Sequence, residues 1–186
     1  MADGLFYRDT REPFMVSDLA TVTLSTTDKA LYSASAFPVL GGQYWARPGK
    51  KLHIRLFGKI TTGTTPGNLT FDIYYGSGAD ATGTILASSA AFALTASQTN
   101  LSWTAEIWVR CITTGSAGSL YCVGEFGANV GVVASTLQPV MIPASAAAAS
   151  ASVDLTAANI ISVQAKRSGS TAETMTVQDL QVEALN

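Results

Sequence analysis

Lys51-Leu52-His53-Ile54-Arg55-Leu56-Phe57-Gly58-Lys59-Ile60 is the stretch that decides the fold. Leu52, Ile54, Leu56, Gly58 and Ile60 alternate with Lys51, His53, Arg55, Phe57 and Lys59, so a period of two puts aliphatic residues on one face and charges on the other. Pro48-Gly49 immediately before it suits the centre of a type II turn, where proline presets the first φ and glycine accepts a positive second one. The same pattern recurs along the chain. Thr65-Pro66-Gly67-Asn68 reads as a second such turn, leading into Leu69 to Tyr75, where Leu69, Phe71, Ile73 and Tyr75 share a face. Leu101 to Thr113 alternates through Trp103, Ala105, Ile107, Val109 and Cys111. Gly115-Ser116-Ala117-Gly118 then turns it into Ser119 to Phe126 as a hairpin.

Further strands are expected at 84–86, 138–142, 160–167 and 173–184. In the last, the apolar phase changes between Met175/Val177 and Leu180/Val182, as a bulge near Gln178 or Asp179 produces. The Ala-rich run 87–97 and the Ala/Ser run 144–152 are not decided by composition. Eight or nine strands with regular turn signals and no long amphipathic helix predict an all-β protein. An antiparallel β-sandwich, jelly-roll-like at this length, fits best. Residues 1–18 differ from the rest: charges are interleaved with Phe6, Tyr7, Phe14 and Met15, and Pro13 interrupts any period. The expected organisation is therefore an N-terminal arm over 1–18 and a sandwich domain over 19–186, with Phe6, Tyr7, Arg8, Arg11 and Phe14 as anchoring residues that gain order by docking.

Composition narrows the function. The 186 residues are 47% apolar and 13% charged, against roughly 25% charged in an ordinary soluble domain. With 11 Lys plus Arg against 13 Asp plus Glu there is no basic field to hold nucleic acid or an anionic membrane. The long uncharged runs 81–105 and 126–153 carry Gln98, Asn100, Asn129, Gln138, Pro139 and Pro143, so neither reads as a membrane-spanning helix. Met1 to Gly4 has neither a basic nor an apolar leader pattern, and the expectation is a protein made and kept in a cytoplasm. Small Ser and Thr residues let sheet faces meet a partner at a low desolvation cost.

Few residues point to chemistry. His53 sits between Lys51 and Arg55 on its own strand and reads as a surface side chain, since two cations disfavour its charged form. Cys111 and Cys122 face each other if the hairpin is symmetric about Ser116-Ala117. A bridge is conceivable there, but in a cytoplasm two buried thiols are expected. Asp80 in a Gly-rich loop is read as a turn residue rather than a calcium ligand, and no cofactor or metal is implied. Tyr44, Trp45 and Trp108 are the candidates for a subunit interface, because Trp and Tyr are enriched at protein contacts.

Phe37-Pro38-Val39-Leu40-Gly41-Gly42-Gln43-Tyr44-Trp45-Ala46-Arg47-Pro48-Gly49-Lys50, with Thr65 to Gly76, resembles a family of small β-rich virion proteins of tailed bacteriophages, especially those of actinobacteria. The resemblance spans roughly residues 30–126 and is closest to head decoration, or cement, proteins. It implies a homotrimer on the outside of a head shell, the major capsid protein as partner, and assembly in the host cytoplasm. A tail or fibre module that binds a host glycan or another virion protein is the alternative. It transfers no active site, so an enzyme is not expected.

Overall fold

The computed structural model describes residues 14–17, 19–41, 43–129, 139–146, 150 and 152–185. The chain forms β1 (Phe14–Ser17), β2 (Thr21–Thr23), β3 (Lys29–Ala30), a 3-10 turn (Ala34–Ala36), β4 (Lys51–Thr61), β5 (Asn68–Gly76) and β6 (Thr84–Ser88). It continues through β7 (Phe92–Ala93), β8 (Leu101–Thr113), β9 (Ser119–Ala128), β10 (Val140–Ile142), β11 (Ile160–Arg167) and β12 (Thr174–Leu185). Two antiparallel sheets result. The larger runs β1-β12-β4-β8-β9-β10, with β2 also on β12; the smaller runs β3-β11-β5-β6, with β7 also on β5. The protein is an all-β antiparallel sandwich, as its alternation predicts. The twelve strands among the described residues exceed the expected eight or nine because β1, β2, β3 and β7 are only two to four residues long, too short to show a period.

The pairing is nested. The first long strand, β4, pairs with the last, β12, and the second, β5, pairs with the penultimate, β11, each pair lying in a different sheet. The hairpin β8–β9 continues the larger sheet beyond β4. Register is set by burial. The aliphatics of β4 and β8 are buried, and the bulge in β12 falls at Gln178, where Val177 pairs with Gly58 and Asp179 with Phe57. The bulge lets Met175/Val177 and Leu180/Val182 all face inward despite their change of phase.

The core is stitched by aromatic rings. Phe126 of the larger sheet lies 4.5 Å from Phe71 of the smaller, with Phe92 at 5.4 Å and Trp103 at 5.9 Å. Gly58, on the aliphatic face of β4, is directly opposite Trp103, and any Cβ there would collide with the indole. Gly49 adopts φ +89°, as the Pro48-Gly49 turn requires. Gly67 has no positive φ, so the second expected type II turn is absent. Glycine is needed there because the backbone of Gly169 passes too close for a side chain.

The boundary expected at residue 18 also shifts. Phe14 to Ser17 pair with Val182 to Asp179, so part of the arm is an edge strand of the larger sheet. Phe6, Tyr7, Arg8 and Arg11 lie outside the described residues. The Ala-rich run after Ala87 is extended rather than helical, because Phe92 and Leu94 must be buried. The loop after β5 folds back over the smaller sheet. Asp80 accepts from the Lys29 ammonium at 2.7 Å and from the Ala30 amide at 2.8 Å, and Gln164 bonds to the backbone of Ala79 and Ala81.

Removing the central ring tests this core. Phe126→Ala should cost about 3–5 kcal/mol of unfolding free energy, while Thr104→Ala on the outer face should stay within about 0.5 kcal/mol of the parent. Urea denaturation monitored by tryptophan fluorescence measures both, and equal effects would refute this view of the core.

Candidate interaction face

The outer face of the larger sheet collects the side chains that alternate away from the core. On β4 these are the charged residues already singled out, and the ladder gives each a cross-strand neighbour. His53 lies opposite Glu183 of β12 on one side and opposite Trp108 of β8 on the other. Its Nε2 is 2.6 Å from a Glu106 carboxylate oxygen and its Nδ1 is 3.4 Å from Glu183. The imidazole stacks on the Trp108 ring at 5.0 Å with 10° between planes. Arg55 Nε approaches Glu106 at 3.5 Å and its guanidinium lies over Phe57, while Arg110 lies over Tyr121.

The partners of His53 are thus two carboxylates and an indole, rather than the two cations beside it in sequence. That corrects the reading based on Lys51 and Arg55. Residues at i±2 share a face, but the directly opposed residues of adjacent strands are closer and decide a sheet side chain's electrostatics. Glu106 and Glu183 could have been found only from the register.

The three residues expected at a subunit contact separate. Trp108 is 37% exposed and stands on the open face. Trp45 is 1% exposed and packs edge-on against Tyr44 at 4.6 Å inside the protomer's own core, so it is unavailable to a partner subunit. Tyr44 is half-buried and its hydroxyl donates to the Lys51 carbonyl at 2.8 Å, fixing the loop before β4 to the start of that strand. Two exposed side chains join the face unannounced by the sequence. Met141 on β10, opposite Glu125, is 57% exposed, and Met15 on β1, opposite Gln181, is 56% exposed. Met15 lies on a strand too short to show a period, and Met141 on the strand expected at 138–142, whose three paired residues do not reveal which face is open.

The cysteines are free and buried. Their register differs from the symmetric hairpin by two residues: Cys111 pairs with Leu120 and Val109 with Cys122, because the turn is centred on Ser116, with Thr113 opposite Ser119, and a bulge between Cys111 and Thr113 takes up one residue more. The two thiols face the core from diagonal positions. Among the described residues no group of three or more His, Cys, Asp or Glu is placed to hold a metal ion, and no helix is long and apolar enough to cross a membrane.

Comparison with protein-family models, with curated proteins and with solved structures finds no match. Residues 37–41 and 43–50 bury Phe37, Leu40 and Trp45 and lead into β4, and residues 65–76 make the turn into β5 together with that strand.

Burial pushes the Cys111 thiol up and that of Cys122 up to about 12, so neither is a thiolate at neutral pH. A thiol-alkylating reagent at mildly alkaline pH should leave the native protein unlabelled and add two groups to the urea-unfolded chain, read by intact mass. Labelling of the folded protein at both sites would contradict the buried placement.

Proposed function

We propose that the protein is a structural subunit of a tailed-phage virion, a head decoration protein that assembles as a homotrimer and binds the major capsid protein on the outside of the shell. The exposed Trp108 on a broad sheet face, with Arg55, Arg110, Tyr121, Met15 and Met141 around it, is the observation that carries this reading. Trp, Tyr, Met and Arg are the residue types enriched at protein contacts. The charges on the face are sorted by strand. Lys51, Arg55 and Lys59 run along β4, and Asp179 and Glu183 along β12, so the basic column of one copy can meet the acidic column of the next. Such a head-to-tail contact closes into a trimeric ring where successive copies are related by a third of a turn. The resemblance of residues 37–50 and 65–76 supports the virion setting.

The chain enters the larger sheet through β1, its outermost strand, beside the C-terminal end of β12. A segment ahead of residue 14 therefore leaves from an edge, where it can reach a neighbouring surface without disturbing the ladder. In this proposal the segment bridges capsid subunits, and several weak arms together make attachment hold. A second reading has one observation in its favour: Trp108, flanked by Glu106 and Arg110 on the same strand, also suits stacking of a sugar ring, as in a tail or fibre module.

Sedimentation velocity of the full chain should give a species of three chain masses, and Trp108→Asp should shift it to monomer with an unchanged circular dichroism spectrum. Deleting residues 2–13, which spares β1, should keep the trimer and abolish binding to undecorated shells. A full-length chain that stays monomeric at micromolar concentration overturns the trimer. A truncated chain that still decorates shells removes the arm as anchor, and selective glycan binding lost in Trp108→Ala favours the fibre reading.

A further inference from the structure

The outer face of the smaller sheet holds a different chemistry. Antiparallel pairing of β5 with β11 sets Gln164 opposite Asp72 and Lys166 opposite Thr70, so Lys166 and Asp72 are diagonal neighbours across two strands. The Lys166 Nζ lies 2.5 Å from Asp72 Oδ2 and 3.3 Å from Asp28 Oδ2. Asp72 is 1% exposed and Asp28 6%. Tyr74 donates its hydroxyl to Asp28 Oδ2 at 2.8 Å, and Ser88 donates to Asp72 Oδ1. Asp28 Oδ1 is buried and has no hydrogen-bond partner.

Two buried carboxyls thus share one ammonium, an arrangement that leaves an uncompensated charge unless one carboxyl keeps a proton. Burial, and then the contact with Asp72, push Asp28 above the usual carboxylate range. Burial also works against the charge on Asp72, but the hydrogen bonds from Lys166 and Ser88 outweigh it and hold Asp72 low. Asp28 is accordingly the carboxyl of the two that takes a proton more readily, and Oδ1 is its oxygen not engaged by Tyr74 or Lys166. The cluster contains an amine, a carboxyl carbon within reach of it, a hydroxyl on the carboxyl's other oxygen and a neighbouring acid.

We propose that Lys166 and Asp72 condense into an intramolecular isopeptide bond, with Asp28 as the proton-transfer group. One proton passes from the Lys166 ammonium to Asp72, giving a neutral amine and a neutral acid; the ion pair, which holds Lys166 up and Asp72 low with the Lys166 side chain 36% exposed, opposes this transfer and makes it the slow step. The amine lone pair forms a bond to Asp72 Cγ. The carbonyl electrons move onto Oδ1, where the Ser88 hydroxyl stabilises the developing charge. Asp28 takes one N–H proton on Oδ2 and delivers the proton of Oδ1 to the departing oxygen of Asp72. The Cγ–Oδ2 bond breaks, one water leaves, and the oxyanion collapses to an amide carbonyl. Nothing is oxidised or reduced, and Asp28 ends with the proton count it began with. The product joins β5 to β11, residues 94 apart in sequence, and closes the nested strand pair covalently.

Intact-mass spectrometry of the full-length chain, denatured and reduced, should give a mass one water below that of the sequence. A protease digest should contain a branched peptide joining the segment with Asp72 to the segment with Lys166. Lys166→Arg and Asp72→Ala should both run at the full mass, and Asp28→Asn should slow bond formation by about a hundredfold on refolding. A wild-type chain at full sequence mass overturns the proposal, and so does a water loss that maps elsewhere, such as to Asp3-Gly4. Both of these readings use the unmodified sequence, so they decide the matter even where a variant fails to fold.

Discussion

The contact between Phe126 and Phe71 is the constraint on which the rest of the molecule depends. It is where the two sheets meet, 4.5 Å apart at the ring centroids, and it fixes which face of each sheet points inward. A strand slipped by one residue would turn its aromatic ring to the outside, so the contact selects the register of β5 and β9 and, through the ladders, of their neighbours. Trp103 can join the cluster only because Gly58 leaves room opposite it. Interior packing at near-crystal density tolerates few such substitutions of shape, and each large ring is matched by an absence elsewhere.

What could be read from the chain follows from this. The alternation of β4 and β8, the Gly49 turn and the Gln178 bulge are local, because each is written in consecutive residues whose period or phase announces it. What was hidden is relational. His53 looks cationic in its surroundings until β8 and β12 bring Glu106 and Glu183 to it. Trp45 follows Tyr44 in a loop without any period, and only the closed sandwich shows that it plugs the core. The cysteine register depended on a turn centred on Ser116 and on one extra residue at position 112, which no composition rule anticipates. The edge strand β1 was disguised by charges and a proline just ahead of it, features that suit an arm and an edge equally.

The two sheets treat their outer faces differently. On the larger sheet the outer residues of β4 and β8 are half-buried or exposed and carry much of the chain's charge. On the smaller sheet the two central strands are covered on both faces: every residue from Phe71 to Gly76 and from Ile160 to Ala165 is buried, while Ile85 on the edge strand β6 is exposed. Gln164 bonds to Ser162 and to the loop at Ala79 and Ala81, and Asp72 accepts from Ser88 and Lys166. Strands covered on both sides cannot carry charges outward, whatever their sequence.

This asymmetry explains the composition better than subunit contacts alone. A charge content of 13% first suggests that charges are missing from surfaces between molecules. Much of the deficit instead belongs to a sheet buried within the protomer, where ionisable groups survive only as matched sets such as Asp28, Asp72 and Lys166, or Arg167 with Glu173. The charges that remain are concentrated on one face. With the central strands of one sheet closed by its own loops, the open face of the other is the surface on which an assembly can be built without unfolding anything. Its charges lie on the inner strands β12, β4 and β8 beside Trp108, while the exposed Met15 and Met141 stand on the two outermost strands, β1 and β10. In this fold a charge-poor chain and a single charged face have one cause: loops that seal the central strands of one sheet leave the outer face of the other to carry the charges.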